Sequence, residues 1–330
     1  MKSAVHKPII SVVLPVYNGM AYLKESVESV LNQQGIEFEF LICDDCSSDN
    51  SYNYLKSLDD RRIKLSRNEK NKGLFPTLNR LISEASTELI HLWAQDDIML
   101  PVCLKETVSF HTEFPEVNFS FSRLQVIDAA GKITKVPIVF PNKTLSPEEH
   151  AIISILYGSI SGNIANVCVV KSACEAVGLF NAELKYVGDF DMWYKLSKEK
   201  GIGCNGKVLV HVRGHEGQLS RNLKASLYRM EENYEVYQNF LGLINKEHRK
   251  YYRRALNWKI YPQYFNQLIY ILRQKQYDLA KTYAQGLKVY GNLGRLMVRW
   301  IIIRFLKILG LEKWFYRVMF LNRVDHDSSK

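Results

Sequence analysis

Acidic side chains are scarce in the last part of this chain. Residues 201–330 hold 9 Asp or Glu against 23 Lys or Arg, a net charge of +14, whereas residues 1–200 carry −4. The overall +10 therefore belongs to one region. Long apolar runs are lacking as well. The start, MKSAVHKPII, has no extended apolar core of the kind a secretory leader needs. Between Arg295 and Lys307 the longest uncharged run is four residues, which argues against a spanning helix. Cysteine is sparse: six are scattered through the chain, with no spacing that reads as a disulfide framework, and a reducing, cytoplasmic setting follows as the expectation. Cys43 and Cys46 form a single C-x-x-C with two acids between them and no second pair, which speaks against zinc or redox chemistry. No nucleic-acid-binding module is recognisable, and the C-terminal cations stand among aliphatic residues, so no nucleic-acid partner is expected.

What is present suffices for a sizeable core. With 330 residues, 47% of them hydrophobic, the chain can bury one large core or two smaller ones, and disorder is excluded. Pro8 to Pro15 (PIISVVLP) is nearly uninterrupted apolar sequence, as in a strand covered on both faces. Tyr17-Asn18-Gly19 makes a turn, and Tyr22 to Asn32 places Leu23, Val27, Val30 and Leu31 at helical spacing before Gly35. Phe38 to Cys43 is a second strand, Ser51 to Leu58 a helix, Ile63 to Ser66 a third strand. Asn71-Lys72-Gly73 opens a helix through Leu74, Leu78 and Leu81. The expected fold is α/β, a Rossmann-like, mostly parallel sheet flanked by helices, with a C-terminal helical extension. The domains are expected at 1–221 and 222–330.

Chemistry concentrates where strands end, since ligands of open parallel sheets collect beyond the carboxyl ends of the strands. After the strand within Glu88 to Trp93 stand Asp96 and Asp97, which either hold a hard divalent cation or cap the next helix. After the second strand come Asp44-Asp45-Cys46-Ser47-Ser48-Asp49. An Asx turn and an N-cap account for Ser48 and Asp49 and leave two acids over, which can accept hydrogen bonds from a base or ribose. Gly73 either lets the backbone approach a ligand or only makes a turn. Further on, Gly188-Asp189-Phe190-Asp191-Met192-Trp193 opens a helix, where an Asp is ordinarily a cap. Gly201 to Gly206 satisfies G-x-G-x-x-G but follows a helix and precedes a strand, the reverse of the dinucleotide order, and is read as a loop.

The ordered set LPVYNG (Leu14–Gly19), CDDCSSD (Cys43–Asp49), NKG (Asn71–Gly73) and QDD (Gln95–Asp97) resembles the signature of family 2 inverting glycosyltransferases with the A-type nucleotide-sugar fold, over roughly residues 8–220. That resemblance implies Pro15 and Tyr17 framing the base, Asp44 and Asp45 binding base and ribose, and Gly73 in the donor site. It implies Mn²⁺ or Mg²⁺ at Asp96, with Asp97 beside it, bridging the donor diphosphate. Asp189 would be the base that deprotonates the acceptor hydroxyl, with Asp191 as the reserve candidate. Trp193, if it is not core, would offer a sugar ring an apolar face. Arg213-Gly214-His215 resembles the segment closing the catalytic domain, with His215 on the metal or diphosphate and the fork of Arg213 on the diphosphate. The chain departs from the pattern at two acids, which are Ala94 and Gly188 here.

The implied activity is transfer of a sugar from a nucleoside diphosphate sugar to a hydroxyl of a glycan or lipid-linked acceptor, in cell-surface polysaccharide synthesis. The alternative is a catalytically weak nucleotide-sugar-binding protein of the same fold, prompted by the two missing acids. In the tail, Arg295, Arg299, Arg304 and Lys307 leave Met297, Val298, Ile301, Ile302, Phe305, Ile308 and Leu309 as an arc free of charge. Such a helix lies in an anionic membrane interface or docks on the protein, and the former predicts a cytoplasmic, membrane-peripheral enzyme.

Overall fold

The computed structural model describes residues 7–135, 143–161, 164–215, 225–316 and 318. Two compact units emerge, residues 1–147 with 161–218 and residues 148–160 with 219–330. Residues 148–160 group with the C-terminal helices and not with the sheet.

The first unit begins as an alternating βα chain: β1 (Ile10–Val16), α1 (Leu23–Leu31), β2 (Phe38–Asp44), α2 (Ser51–Lys56), β3 (Ile63–Arg67), α3 (Leu74–Glu84) and β4 (Leu89–Leu92). β5 (Ile98–Met99), α4 (Cys103–Glu113), β6 (Phe119–Ile127), β7 (Ile133–Lys135) and β8 (Lys143–Leu145) follow. After α5 (Pro147–Tyr157) come β9 (Val167–Val170), α6 (Lys171–Ala176), α7 (Gly188–Ser197) and β10 (Ile202–Arg213). The sheet order is β3-β2-β1-β4-β9-β6-β10-β5, with β7 on β6 and β8 on β10.

The β3-β2-β1-β4 half is parallel, as the apolar runs of β1 and β2 require of strands covered on both faces. Leu14, Val16, Phe40, Ile42 and Trp93 are fully buried in one cluster with Leu23, Val27 and Val30 of α1. In the other half β10 continues parallel to β6. β9 runs antiparallel to both β4 and β6, so the sheet is mixed. The G-x-G-x-x-G segment is also not a loop: Gly203, Cys204 and Asn205 are paired with β6. A Cβ on Gly203 would strike the Phe110 ring of α4, so this glycine serves helix-on-strand packing. Register places Val16 opposite Asp44 and Val13 opposite Leu92. The carboxyl ends of β1, β2 and β4 therefore stand side by side.

The second unit contains α5, α8 (Ala225–Leu243), α9 (Lys246–Ala255), α10 (Tyr264–Arg273), α11 (Tyr277–Gly286), α12 (Leu293–Ile308) and α13 (Glu312–Tyr316). α9 runs on through a π turn, Leu256–Ile260, and a 3₁₀ turn, Tyr261–Gln263, where Pro262 has no N–H to give. Aromatic residues make its core: Tyr290 packs on Tyr261 (4.4 Å) and Tyr264 (4.8 Å), and His150 meets Phe240 edge-on. α12 buries only Leu296, while the charge-free arc from Met297 to Leu309 is exposed, Phe305 at 60% and Ile308 at 81%. No helix among the described residues is long and apolar enough to cross a membrane.

Candidate active site

The loops at the ends of β1 and β2 are laced together by side chains that the sequence reading treated only as turn formers. Asn18 adopts a left-handed conformation (φ 49°), and its Oδ1 accepts the N–H groups of Ser48 and Asp49. In return Asn18 N–H donates to Ser47 Oγ, Gly19 N–H to Ser51 Oγ and Met20 N–H to Asp49 Oδ2. Gln95, beyond β4, accepts the Tyr17 N–H at 2.9 Å and donates to the Tyr17 carbonyl at 3.1 Å. A Cβ on Gly19 would lie 2.5 Å from the end of that Gln95 side chain, so a larger residue there would displace the carboxamide. Three strand ends are thus held in one arrangement, with the Tyr17 ring exposed and Pro15 buried in β1 opposite Cys43.

The two adjacent acids after β2 differ in what they have left to offer. Asp45 is fully engaged: Oδ1 accepts from Asn68 Nδ2 (2.7 Å) and Lys72 N–H (2.9 Å), and Oδ2 from Gly73 N–H (2.8 Å). Its work is to fasten the N-K-G loop. Gly73 holds a positive φ of 90° there, with open space where a side chain would be, and its amide is committed to Asp45. Asp44 is buried, its Oδ2 paired with Arg67 Nε at 2.9 Å and accepting Ser47 N–H, while its Oδ1 has no hydrogen-bond partner among the described residues. A buried carboxylate oxygen left in that state is an acceptor waiting for a donor, since leaving it unmatched costs about 1–3 kcal/mol or more.

Beyond β4 the second acidic pair divides in the same manner. Trp93 donates its indole N–H to Ser26 Oγ, which donates in turn to the Ala94 carbonyl, so the β4 end is anchored on α1. Asp97 is fully buried and accepts the Arg213 N–H at 2.8 Å. Burial, and next the charge of Asp96, push its carboxyl well above the usual carboxylate range. It ties β10 to the end of β4, and its side chain is buried there. Arg213 stands beside it with its guanidinium turned to neighbouring loops. Its Nε donates to the Asp96 carbonyl, Nη1 to the carbonyls of Asp128 and Ala129, and Nη2 to Glu25, with the guanidinium 4.7 Å from the Tyr22 ring. Four of its hydrogen bonds hold these loops together.

Asp96 and His215 remain. His215 Nε2 stands 2.8 Å from Asp96 Oδ2, and its ring packs on Tyr22 at 4.9 Å. Among the described residues no group of three or more His, Cys, Asp or Glu is arranged to hold a metal ion. This carboxylate and imidazole are bonded to each other, and a bound ion such as Mg²⁺ or Mn²⁺ would take most of its oxygens from substrate phosphates and water.

The fourth cluster is at the start of α7. The Asp189 carboxylate is pushed up to about 6 by burial, although it accepts the Phe190 N–H at 2.7 Å. Asp191 faces away along the helix, paired with Lys195 at 2.7 Å. Gly188, where the family pattern has an acid, has no room for one: a Cβ would lie 2.6 Å from the Phe75 ring of α3. Phe75 stacks on Phe180 (5.5 Å), and Phe180 meets Trp193 edge-on. Trp193 is fully buried and also stacks on Phe119, so it is core and not a platform for a sugar. Asn79 of α3 exchanges two hydrogen bonds with the Phe180 backbone, which fixes the segment leading to α7. The N-terminal ends of α3 and α7 therefore abut, and the loop entering α3 is the one that Asp45 holds.

Residues 11–168 match the model for glycosyl transferase family 2. An uncharacterised glycosyltransferase of Rickettsia prowazekii is 25% identical over 250 residues, 75% of this chain and 76% of that protein. Another from Haemophilus influenzae is 26% identical over 235 residues, 68% of this chain and 70% of its own length. Among solved structures, S. aureus TarS 1–349 in complex with UDP-GlcNAc superposes with a TM-score of 0.57 over 96% of this chain and 93% of that one, at 18% identity. Residues 11–168 therefore form a glycosyl transferase family 2 domain with the A-type fold, and the protein is a glycosyltransferase.

Proposed function

We propose that the enzyme moves a sugar, with inversion, from a nucleoside diphosphate sugar to a hydroxyl of a glycan or lipid-linked acceptor in cell-surface polysaccharide synthesis. The observation that carries this reading is the meeting of Asp96 and His215 beside the laced strand ends that offer the free oxygen of Asp44. Asp44 takes a donor group of the base, with the exposed Tyr17 ring beside it. Asp96 and His215 would hold Mg²⁺ or Mn²⁺, which would supply positive charge to the diphosphate. Asp189 accepts the proton of the acceptor hydroxyl as that oxygen bonds to the anomeric carbon, and the diphosphate departs from the opposite face. A carboxyl near 6 is half-way to the pH of its task, a better proton acceptor than an ordinary aspartate and still ionised at neutral pH. The named complexes of TarS with UDP and UDP-GlcNAc support a uridine donor as the first to test.

The exposed apolar arc of α12, flanked by Arg295, Arg299, Arg304 and Lys307, supports a seat on the cytoplasmic face of the cell membrane, its apolar residues in the interface and its cations at lipid phosphates. The deciding experiment is a thermal-shift and turnover screen of nucleoside diphosphate sugars with Mg²⁺, Mn²⁺ and chelator. A donor at 100 times its dissociation constant adds about 2.7 kcal/mol to stability. No stabilisation by any of them would overturn the reading.

A further inference from the structure

A cavity of about 520 Å³ opens within the helical unit, bounded by the end of α5, by α8, α10 and α11, and by the turns that join α9 to α10. Its size lies within the ~300–1,000 Å³ of small-ligand sites. The lining is unusual for a gap between helices: four tyrosines, four carboxamides, two cations and no carboxylate. The cations are Arg229 and Lys259, both half-buried, and neither forms an ion pair among the described residues. Lys259 instead lies 4.2 Å from the centre of the Tyr157 ring. Burial draws its ammonium below the ordinary lysine range, and the charge of Glu312 offsets this only in part. The charge of Arg229 reaches the hydroxyls of Tyr264 and Tyr283.

Each part of this lining has a chemical preference. Half-dehydrated cations without a carboxylate gain most from an incoming anion, which restores the interactions that burial removed. Carboxamides such as Asn233 and Gln267 donate and accept at once, matching hydroxyls that do the same. Tyrosine rings offer an apolar face with a polar rim to a flat ligand that has C–H groups on its faces and hydroxyls at its edges. An aliphatic or purely anionic ligand would use only some of these groups.

We propose that this cavity is a carbohydrate site taking an anionic glycan unit, phosphorylated or carboxylated, whose charge is met by Arg229 and Lys259 and whose hydroxyls are met by Asn233 and Gln267. It shares no residue with the site around Asp96, and it rests on the function above only in identifying the glycan as part of the acceptor.

The full chain, saturated with UDP, is titrated with glucose 1-phosphate, methyl glucoside and inorganic phosphate, followed by ligand-observed NMR. Glucose 1-phosphate is expected to bind more tightly than either of the others. Arg229→Gln and Lys259→Gln each weaken it about tenfold or more, while Lys259→Arg retains most of the affinity and all three variants keep the parent melting temperature. Binding of free phosphate or the neutral glycoside as tight as the sugar phosphate, or affinity unchanged in both Gln variants, overturns the proposal. So does binding of glucose 1-phosphate that appears only when UDP is left out, which would place it in the donor site. Failure of UDP itself to bind counts against the donor reading alone, because the variants still report on this cavity.

Discussion

Phe75 occupies the space that a side chain on residue 188 would need: a Cβ built on Gly188 falls 2.6 Å from the Phe75 ring. The missing acid of the family pattern is therefore matched by a filled site, and the change at 188 belongs with the aromatic stack of Phe75, Phe180 and Trp193.

Gly188→Ala should accordingly destabilise the sheet unit by about 1–3 kcal/mol through overpacking. Combined with Phe75→Leu, whose smaller side chain vacates part of that space, the cost should fall below the sum of the single changes. Denaturant unfolding of the four proteins measures this. Strict additivity would show that the two positions do not compete for room.

Asp189→Asn should lower sugar transfer by about 10²–10⁴-fold and leave donor affinity near that of the parent. Transfer by the parent enzyme should decline below a pH near 6, as the base becomes protonated. A second reading comes from stability. The carboxyl is raised in the folded state, so its favourable contribution is complete at low pH and is lost as pH rises from the ordinary carboxylate range through about 6. The advantage of Asp189→Asn over the parent in unfolding free energy should therefore grow between pH 4 and pH 7. Asp191→Asn, which loses only its pairing with Lys195, should keep transfer within a few-fold.

The acids after β4 should separate function from stability. Asp96→Ala, or His215→Ala, should abolish metal-dependent turnover with little change in melting temperature, since each is partly exposed. Asp97→Ala should instead cost about 1–3 kcal/mol of stability by leaving the Arg213 N–H without its acceptor. Arg213→Lys should also destabilise, because an ammonium cannot serve the Asp96, Asp128, Ala129 and Glu25 acceptors together. Thermal melts beside turnover assays check all four.

Ile301→Ser, Phe305→Ser and Ile308→Ser together should leave stability unchanged, because all three side chains are exposed in α12. The same protein should lose co-sedimentation with anionic liposomes, where each buried apolar side chain contributes up to about 1.5–3 kcal/mol. Retained liposome binding, or a fall in melting temperature, would refute the membrane role of this face.

Local pattern by itself determined the first four strands and their parallel character, because strands covered on both faces must be apolar throughout and the turns between them must carry Gly, Asn, Asp and Ser, while the order β3-β2-β1-β4 came from the structure. It also located the acid clusters at strand ends, since that placement follows from chain order. Short β9 was not legible: four residues, Val167–Val170, carry no periodicity that tells a strand from any apolar run, and its antiparallel pairing is made with partners far along the chain. Nor could a sequence say which acid of each pair is spent. Asp45 rather than Asp44 is consumed by the N-K-G loop, Asp97 rather than Asp96 by β10, and Arg213 by carbonyls more than 80 residues away. Neighbouring carboxylates are chemically identical until folding assigns their hydrogen-bond partners, and those partners come from segments that only the tertiary structure brings together.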